Sequence, residues 1–335
     1  MKKLAVLMPA YNCAVYLRES IDSILNQTYS DFDFYIYDDF STDETQSVIH
    51  SYTDSRIFYI KNDRNLGIAA TLNCGLDLLL PQYEFIARMD ADDWAFPERF
   101  QKQIDFMEMN PEIAMSGTQA YWLKNMNELR IINWLQPENY NYIKLYLLFS
   151  ASFGHQTIIF RSILIKNYFR YNINIKTCED WELWTKIVKK NIIINLPDFL
   201  SKNRIVSTSN HRSSENAVLH LKERSIILSE YWKTFNIILS PDQVYELYYE
   251  TSESVKENFY LKLNILIDSF NSLFLNYHQE LVTEDKEQFS YMLARKVLDL
   301  WKRSGKNRLN PKIWMLILIR VKFINKLRLI RSQIN

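Results

Sequence analysis

Ile86-Ala87-Arg88-Met89-Asp90-Ala91-Asp92-Asp93-Trp94 is the stretch that decides how this chain is read. A largely apolar run from Tyr83 to Met89 ends abruptly in three carboxylates within four residues, and Pro97 follows. The run has the length of a buried strand, and Pro97 places a helix start at or just after it. Three neighbouring acids repel one another, so a fold tolerates them where something cationic sits between them. In open α/β sheets, ligands lie in the crevice beyond the strand ends. Hard oxygen donors on a short loop suit Mg²⁺ or Mn²⁺, which commonly also grips a substrate phosphate. Read alone, the same D-x-D-D is a solvated acidic turn. Its company decides.

Outward from that strand, the pattern alternates. Leu4–Met8 is a short apolar strand, broken by Pro9-Ala10-Tyr11-Asn12. A helix follows, with Leu17, Ile21, Ile24 and Leu25 on one stripe. Phe32–Tyr37 forms a second strand ending in Asp38-Asp39, and Ser41-Thr42-Asp43-Glu44 reads as a capping box opening the next helix. Ile57–Ile60 is a third strand, and a helix through Leu72, Leu76 and Leu79 leads back to the acidic strand. The order β-α-β-α-β-α-β predicts a doubly wound, mostly parallel sheet. Further on, Ile113–Thr118 and Ala120–Leu123 read as two strands, Tyr142–Phe149 as a helix, and Thr157–Phe160 and Ile192–Leu196 as strands. A Ser/Thr/Asn/His-rich seam at 207–214 separates an α/β domain, residues 1–215, from a helical region, 216–335.

Composition narrows the chemistry. The chain has 335 residues, 47% of them apolar, enough for a sizeable core. Its five glycines build neither G-x-G-x-x-G nor a P-loop, so any phosphate must be held by a metal and side chains. Three widely spaced cysteines without C-x-x-C fit a reducing cytosol. The N-terminus reads as a first strand rather than a signal peptide, and no apolar run is long enough to span a membrane. The net charge of +1 hides ten Lys/Arg and no Asp/Glu from Lys302 onward, which leaves the rest of the chain at −9.

Two acid clusters, Asp38-Asp39 and Asp90-Ala91-Asp92-Asp93, thus end parallel strands on one sheet edge, and solvation alone does not require that. Five motifs occur in order: Met8-Pro9-Ala10-Tyr11-Asn12, Ile24-Leu25-Asn26-Gln27-Thr28-Tyr29, Asp38-Asp39-Phe40-Ser41-Thr42-Asp43, Asn65-Leu66-Gly67-Ile68-Ala69 and Met89-Asp90-Ala91-Asp92-Asp93. Together they resemble the inverting family 2 glycosyltransferases with the GT-A (nucleotide-diphospho-sugar transferase) fold. The match is close over residues 1–110 and thins by about residue 215. One departure is Phe40, where the family commonly has Gly.

The resemblance implies roles for individual residues. Pro9, Ala10, Tyr11 and Asn12 line a nucleotide pocket, Asp39 holds the uracil, and Asn65 and Gly67 lie near base and ribose. Of the D-x-D pair, Asp90 points to ribose or sugar and is a further metal candidate, Asp92 reaches a Mn²⁺ or Mg²⁺ bridging the diphosphate, and Asp93 shares metal or donor-sugar contacts. In Cys178-Glu179-Asp180-Trp181 an acid pair opens a helix. Read alone, the pair complements a helix dipole; the resemblance makes Asp180 the general base, with Glu179 and Trp181 as further candidates. His155, in a G-H-Q-T stretch, falls where the family often places an acceptor-side His. Relatives carry Tyr-Arg-x-His after the E-D pair; here Asn203-Arg204-Ile205-Val206 lacks the His, which leaves His211 as a substitute metal ligand and Arg204 for the diphosphate.

From Trp314 on, apolar residues alternate with Arg320, Lys322, Lys326 and Arg328. A basic amphipathic helix of this kind, about residues 306–335, suits a membrane interface; a packed terminal helix with a solvated basic face is the plainer reading. No nucleic-acid reader motif accompanies it. The expectation is a metal-dependent transferase moving a hexose or N-acetylhexosamine from a UDP-sugar to a glycan or lipid-linked acceptor. It would work in the cytoplasm, at the inner membrane face. The rivals are a nucleotidyltransferase, which needs a Gly-rich basic loop after the first strand, and a glycan-binding module without turnover.

Overall fold

The computed structural model describes residues 2–125, 128–165, 170–205, 214–248 and 256–303. The elements run β1 Lys2–Ala10, α1 Ala14–Leu25, β2 Phe32–Asp38, α2 Thr45–His50, β3 Ile57–Lys61, α3 Ile68–Leu79, β4 Tyr83–Arg88, β5 Trp94–Ala95, α4 Arg99–Met109, β6 Ile113–Asn125 and β7 Glu128–Trp134. They continue with α5 Tyr140–Tyr146, β8 Ile159–Arg161, α6 Ser162–Ile165, α7 Glu179–Ile187, β9 Ile192–Arg204, α8 Ser214–Trp232, α9 Pro241–Tyr248, α10 Lys256–Tyr277 and α11 Thr283–Arg303. The chain divides into two compact units, Met1–Ala217 and Val218–Asn335.

The sheet order is β3-β2-β1-β4-β8-β6-β9-β5, with β7 beside β6. β1 to β4 pair in parallel, as alternating apolar strands and helices require. β8 is antiparallel to both β4 and β6, so the sheet is mixed. Register aligns Ala10 with Asp38, and Met89 N–H donates to Leu7 O, so three strand ends open on one edge. α1 buries Leu17, Ile21 and Ile24 against the sheet. α3 lies so close that a Cβ on Gly75 would stand 2.4 Å from Leu7 Cδ1.

The polar side of α1 grips the segment after the acid loop. Ser20 Oγ donates to Asp93 O at 2.6 Å, and Ala95 N–H donates to Ser23 Oγ at 3.2 Å. Gln27 Nε2 donates to Phe96 O, while its Oε1 accepts Phe100 N–H at 3.0 Å. The first turn of α4 has no cap of its own, and Gln27 satisfies one of its orphan donors from a distance. Thr28 donates through both N–H and Oγ1 to Pro97 O. This is the physical content of the Asn26-Gln27-Thr28-Tyr29 motif: it pins the loop that carries the acids.

Three local expectations are corrected. α2 starts at Thr45 without a side-chain cap. The supposed capping-box Ser41 instead accepts Asn12 N–H at 3.0 Å, and Asp43 accepts Thr45 N–H. The two strands expected at 113–118 and 120–123 are one, β6, whose register against β9 shifts at Thr118/Gln119 and Gln119/Ala120. Buried Gln119 there exchanges hydrogen bonds with the Gln136 backbone, and such an irregularity breaks the period-two pattern. β7 was not legible in the sequence, and β9 runs well past Leu196.

Within the second unit, Tyr231, Phe235 and Tyr277 pack ring on ring, and Ser229 Oγ donates to Leu239 O. Leu266, Ile267 and Phe270 of α10 are fully buried. Among the described residues no helix is long and apolar enough to cross a membrane. The basic segment at 306–335 lies outside the described residues.

Candidate active site

Three loops at the open edge build the first half of the site. After β1, Asn12 adopts a left-handed backbone (φ +47°), its N–H donates to Ser41 Oγ, and its Oδ1 accepts Thr42 N–H at 2.8 Å. The first and second strand-end loops are thereby stitched together, leaving Tyr11 half exposed. Pro9 and Ala10 end β1 beside Tyr37 and Asp38.

Asp38 and Asp39 are both buried. Asp38 accepts Ser41 N–H and Tyr59 O–H. Asp39 Oδ1 accepts Leu66 N–H at 2.7 Å and Asn62 Nδ2–H, and Oδ2 accepts Gly67 N–H at 2.8 Å. Asn65 Nδ2 reaches Asp39 O. The residue expected at the uracil therefore also organises the loop expected at the ribose. Gly67 holds φ +84° before α3 in open space, so backbone conformation, not crowding, calls for glycine there. Phe40 sits at φ +66°, a region that costs an L side chain roughly 1–2 kcal/mol. The family's usual Gly meets that conformation freely; here an exposed aromatic ring with Lys61 above it takes the strain.

The acid loop divides its labour. Asp90 pairs with the buried guanidinium of Arg88. Asp93, expected at the metal or donor sugar, is buried; its Oδ1 accepts Arg204 N–H at 2.7 Å, and its Oδ2 accepts Asn203 Nδ2–H at 3.1 Å. It fastens the end of β9 to the loop. Arg204, expected at the diphosphate, donates through Nε to Asp92 O at 2.9 Å and through Nη2 to Glu19 at 2.6 Å, stacked over Tyr16. Its guanidinium is thus engaged in shaping the loop.

Asp92 is half-buried, and burial with Asp90 beside it pushes its carboxyl up to about 6. Among the described residues no three His, Cys, Asp or Glu side chains gather as a metal site. His211 lies outside the described residues. A hard, partly desolvated carboxylate that resists carrying its charge alone does fit a Mg²⁺- or Mn²⁺-type ion, which needs one or two carboxylates beside substrate phosphates.

The second half comes from α7. Glu179 is buried and its carboxyl is pushed up to about 8 by burial and by Asp180. Asp180 is partly exposed; burial pushes it up to about 6, against the opposing pull of Trp181 N–H, which its Oδ1 accepts at 2.6 Å. Trp181 is buried, and its indole N–H donates to Leu147 O. His155 shares a 2.7 Å hydrogen bond with Tyr171 Oη and stands edge-on to Trp184. Burial and the Arg88 charge hold its imidazole well below the ordinary range, so it is neutral. Tyr171, which sequence reasoning missed, is tied to α3 by paired hydrogen bonds with the Asn73 side chain, 98 residues away in sequence. No local pattern announces such a contact.

A family model described as glycosyl transferase family 2 matches residues 5–167. A glycosyltransferase of Haemophilus influenzae is 30% identical over 302 residues, covering 83% of this chain and 92% of that one. The chain belongs to glycosyl transferase family 2.

Another relative of this glycosyltransferase is the Escherichia coli UDP-Glc:alpha-D-GlcNAc-diphosphoundecaprenol beta-1,3-glucosyltransferase WfaP, 31% identical over 57% of this chain and 72% of its own. Among solved structures, TarS 1–349 of S. aureus in complex with UDP-GlcNAc aligns over 91% of both chains at TM-score 0.57 and 19% identity. That likeness concerns the fold, which is GT-A. The transferase thus carries Asp90, Asp92 and Asp93 on the loop after β4, and Glu179 and Asp180 in the first turn of α7.

Proposed function

We propose that the enzyme moves a hexose or N-acetylhexosamine from a UDP-sugar to a lipid-linked glycan by a single displacement that inverts the anomeric carbon. The observation that supports this reading is that Asp90 of the acid loop bears electrostatically on both Glu179 and Asp180 of α7, which brings the two acid groups into one neighbourhood. The carboxyls of Asp92 and Asp180 are both raised, and both feel the charge of Arg88. Asp180 takes the proton of an acceptor hydroxyl as its oxygen attacks the sugar C1 and the bond to UDP breaks, a role worth about 10²–10⁴-fold in rate. Asp92 would hold the divalent cation, Mn²⁺ or Mg²⁺, which when bound neutralises the charge growing on the departing diphosphate. Pro9 to Asn12, Asp39, Asn65 and Gly67 bound the nucleotide side. The donor and acceptor classes are supported by WfaP, whose name specifies UDP-Glc and a diphosphoundecaprenol-linked GlcNAc.

The full chain should release UDP slowly from UDP-glucose or UDP-N-acetylglucosamine without acceptor, and only with Mn²⁺ or Mg²⁺. Release from GDP-sugars but from no UDP-sugar would reject the donor. Residues 306–335 are proposed to rest on anionic lipid at the cytoplasmic face. The full chain should then sediment with phosphatidylglycerol vesicles and a chain ending at Gly305 should not; equal sedimentation removes the membrane role.

A further inference from the structure

A polar stripe along α1 follows the chain after β4 residue by residue. Tyr16, Glu19, Ser20 and Ser23, with Gln27 just past the helix, recur at the three- and four-residue spacing that puts side chains on one helix face. Ser20 Oγ donates to Asp93 O, Ser23 Oγ accepts Ala95 N–H and Gln27 Nε2 donates to Phe96 O, in chain order. At the head of the stripe, the link to Asp92 runs through a third residue. Arg204, the last residue of β9, donates from Nε to Asp92 O at 2.9 Å and from Nη2 to Glu19 Oε2 at 2.6 Å. Its guanidinium carbon stands 4.7 Å from the centre of the Tyr16 ring.

The two members of this ion pair differ in burial. The Arg204 side chain is 8% exposed and that of Glu19 56%. A pair with one member so exposed adds little to stability, so the fold does not depend on Glu19. The aim of the guanidinium does. A guanidinium is a rigid planar fork, so fixing Nη2 on Glu19 and the plane on Tyr16 fixes the direction of the Nε–H that meets Asp92 O. Arg204 also donates its backbone N–H to Asp93 Oδ1. The Asp92 side chain is therefore presented from a backbone clamped at its own carbonyl and at the next residue. Carboxylates that ligate metals depend on such outer contacts for their orientation.

We propose that Glu19 is a positioning residue for the divalent-cation seat: it fixes the Arg204 fork, which fixes the backbone of Asp92 and so the aim of its carboxylate. The inference rests on the reading of Asp92 given above. It assigns α1 a part in ion binding beyond packing on the sheet.

The test is calorimetric titration of Mn²⁺ into the full chain at saturating UDP, on wild type, Glu19→Ala, Arg204→Lys and the double variant. Alanine is a good helix former, so the ligand-free melting temperature of Glu19→Ala should stay within about 3 °C of wild type. A larger fall would make Glu19 a structural residue and overturns the proposal. The Kd for Mn²⁺ should rise about tenfold in Glu19→Ala and in Arg204→Lys. The double variant should lose no more than either alone, because both act through one fork. Unchanged Mn²⁺ affinity in Glu19→Ala overturns the proposal, and so does a further loss when that change is added to Arg204→Lys. Tighter UDP binding by Glu19→Ala overturns it from the other side, since Glu19 would then hold Arg204 back from the diphosphate. Should Arg204→Lys not fold, Glu19→Gln decides: it keeps an oxygen for Nη2–H and should lose less than Glu19→Ala. Equal losses would make Glu19 a counter-charge only and overturn the proposal. A wild type that binds no Mn²⁺ with UDP present overturns the ion reading itself, a result distinct from wild-type affinity in the variant.

Discussion

Asp180→Asn should reduce acceptor-dependent turnover by about 10²–10⁴-fold while leaving Mn²⁺-dependent UDP affinity where it was. Asparagine keeps the oxygen that accepts Trp181 N–H, so the N-terminus of α7 stays in place and only the proton acceptor is lost. The pH dependence supplies a second readout. With its carboxyl raised to about 6 by burial, Asp180 is ionised above that value, so wild-type turnover should fall as pH drops through about 6. The sign for stability is opposite to that of a salt-bridged acid. The folded state binds this proton more tightly than the unfolded chain, so the ionised carboxylate costs stability as pH rises through the same range. Asp180→Asn removes that cost, and its melting temperature at pH 7 should not fall. Full transfer activity in the variant would exclude Asp180 as the base.

Asp92→Asn should abolish the thermal stabilisation that Mn²⁺ and UDP give together. For wild type at a ligand concentration near 100 times Kd, mass action supplies about 2.7 kcal/mol, or roughly 5–10 °C for a unit of this size. The amide cannot replace an anionic oxygen at the ion, and release of UDP from the donor should disappear with the shift. Asp93→Asn is the informative contrast. Its carboxylate accepts hydrogen bonds from Arg204 N–H and Asn203 Nδ2–H, so its loss should lower the melting temperature of the ligand-free chain. If Asp92→Asn kept the combined Mn²⁺ and UDP shift, the ion would have to be seated elsewhere.

The glutamine of the second motif shows how a sequence pattern can be recognised before its physics is known. Asn26-Gln27-Thr28-Tyr29 matched the family without suggesting a task. Both ends of the Gln27 amide are used 69 and 73 residues away, on Phe96 O and Phe100 N–H. Phe40 is the converse: the sequence flagged the position, and the left-handed backbone supplies the reason glycine is usual there.

The sequence by itself determined the parallel half of the sheet, because strand and helix periods are local and β1 to β4 follow one another at short spacing. It also located both acid clusters, because two apolar runs of strand length each stop at carboxylates within the same alternating strand-helix order. Tertiary structure alone decided which acid does what. Asp90, Asp92 and Asp93 are neighbours of one residue type, and nothing within the loop tells them apart. Arg88 claims the first, the end of β9, more than a hundred residues later, claims the third, and Asp92 stays half-buried between them, the acid proposed above to hold the ion. The same holds for β6, whose single strand across a register shift exists because β9 pairs along its whole length. Electrostatic and packing partners distant in sequence set these outcomes, and no local pattern encodes them.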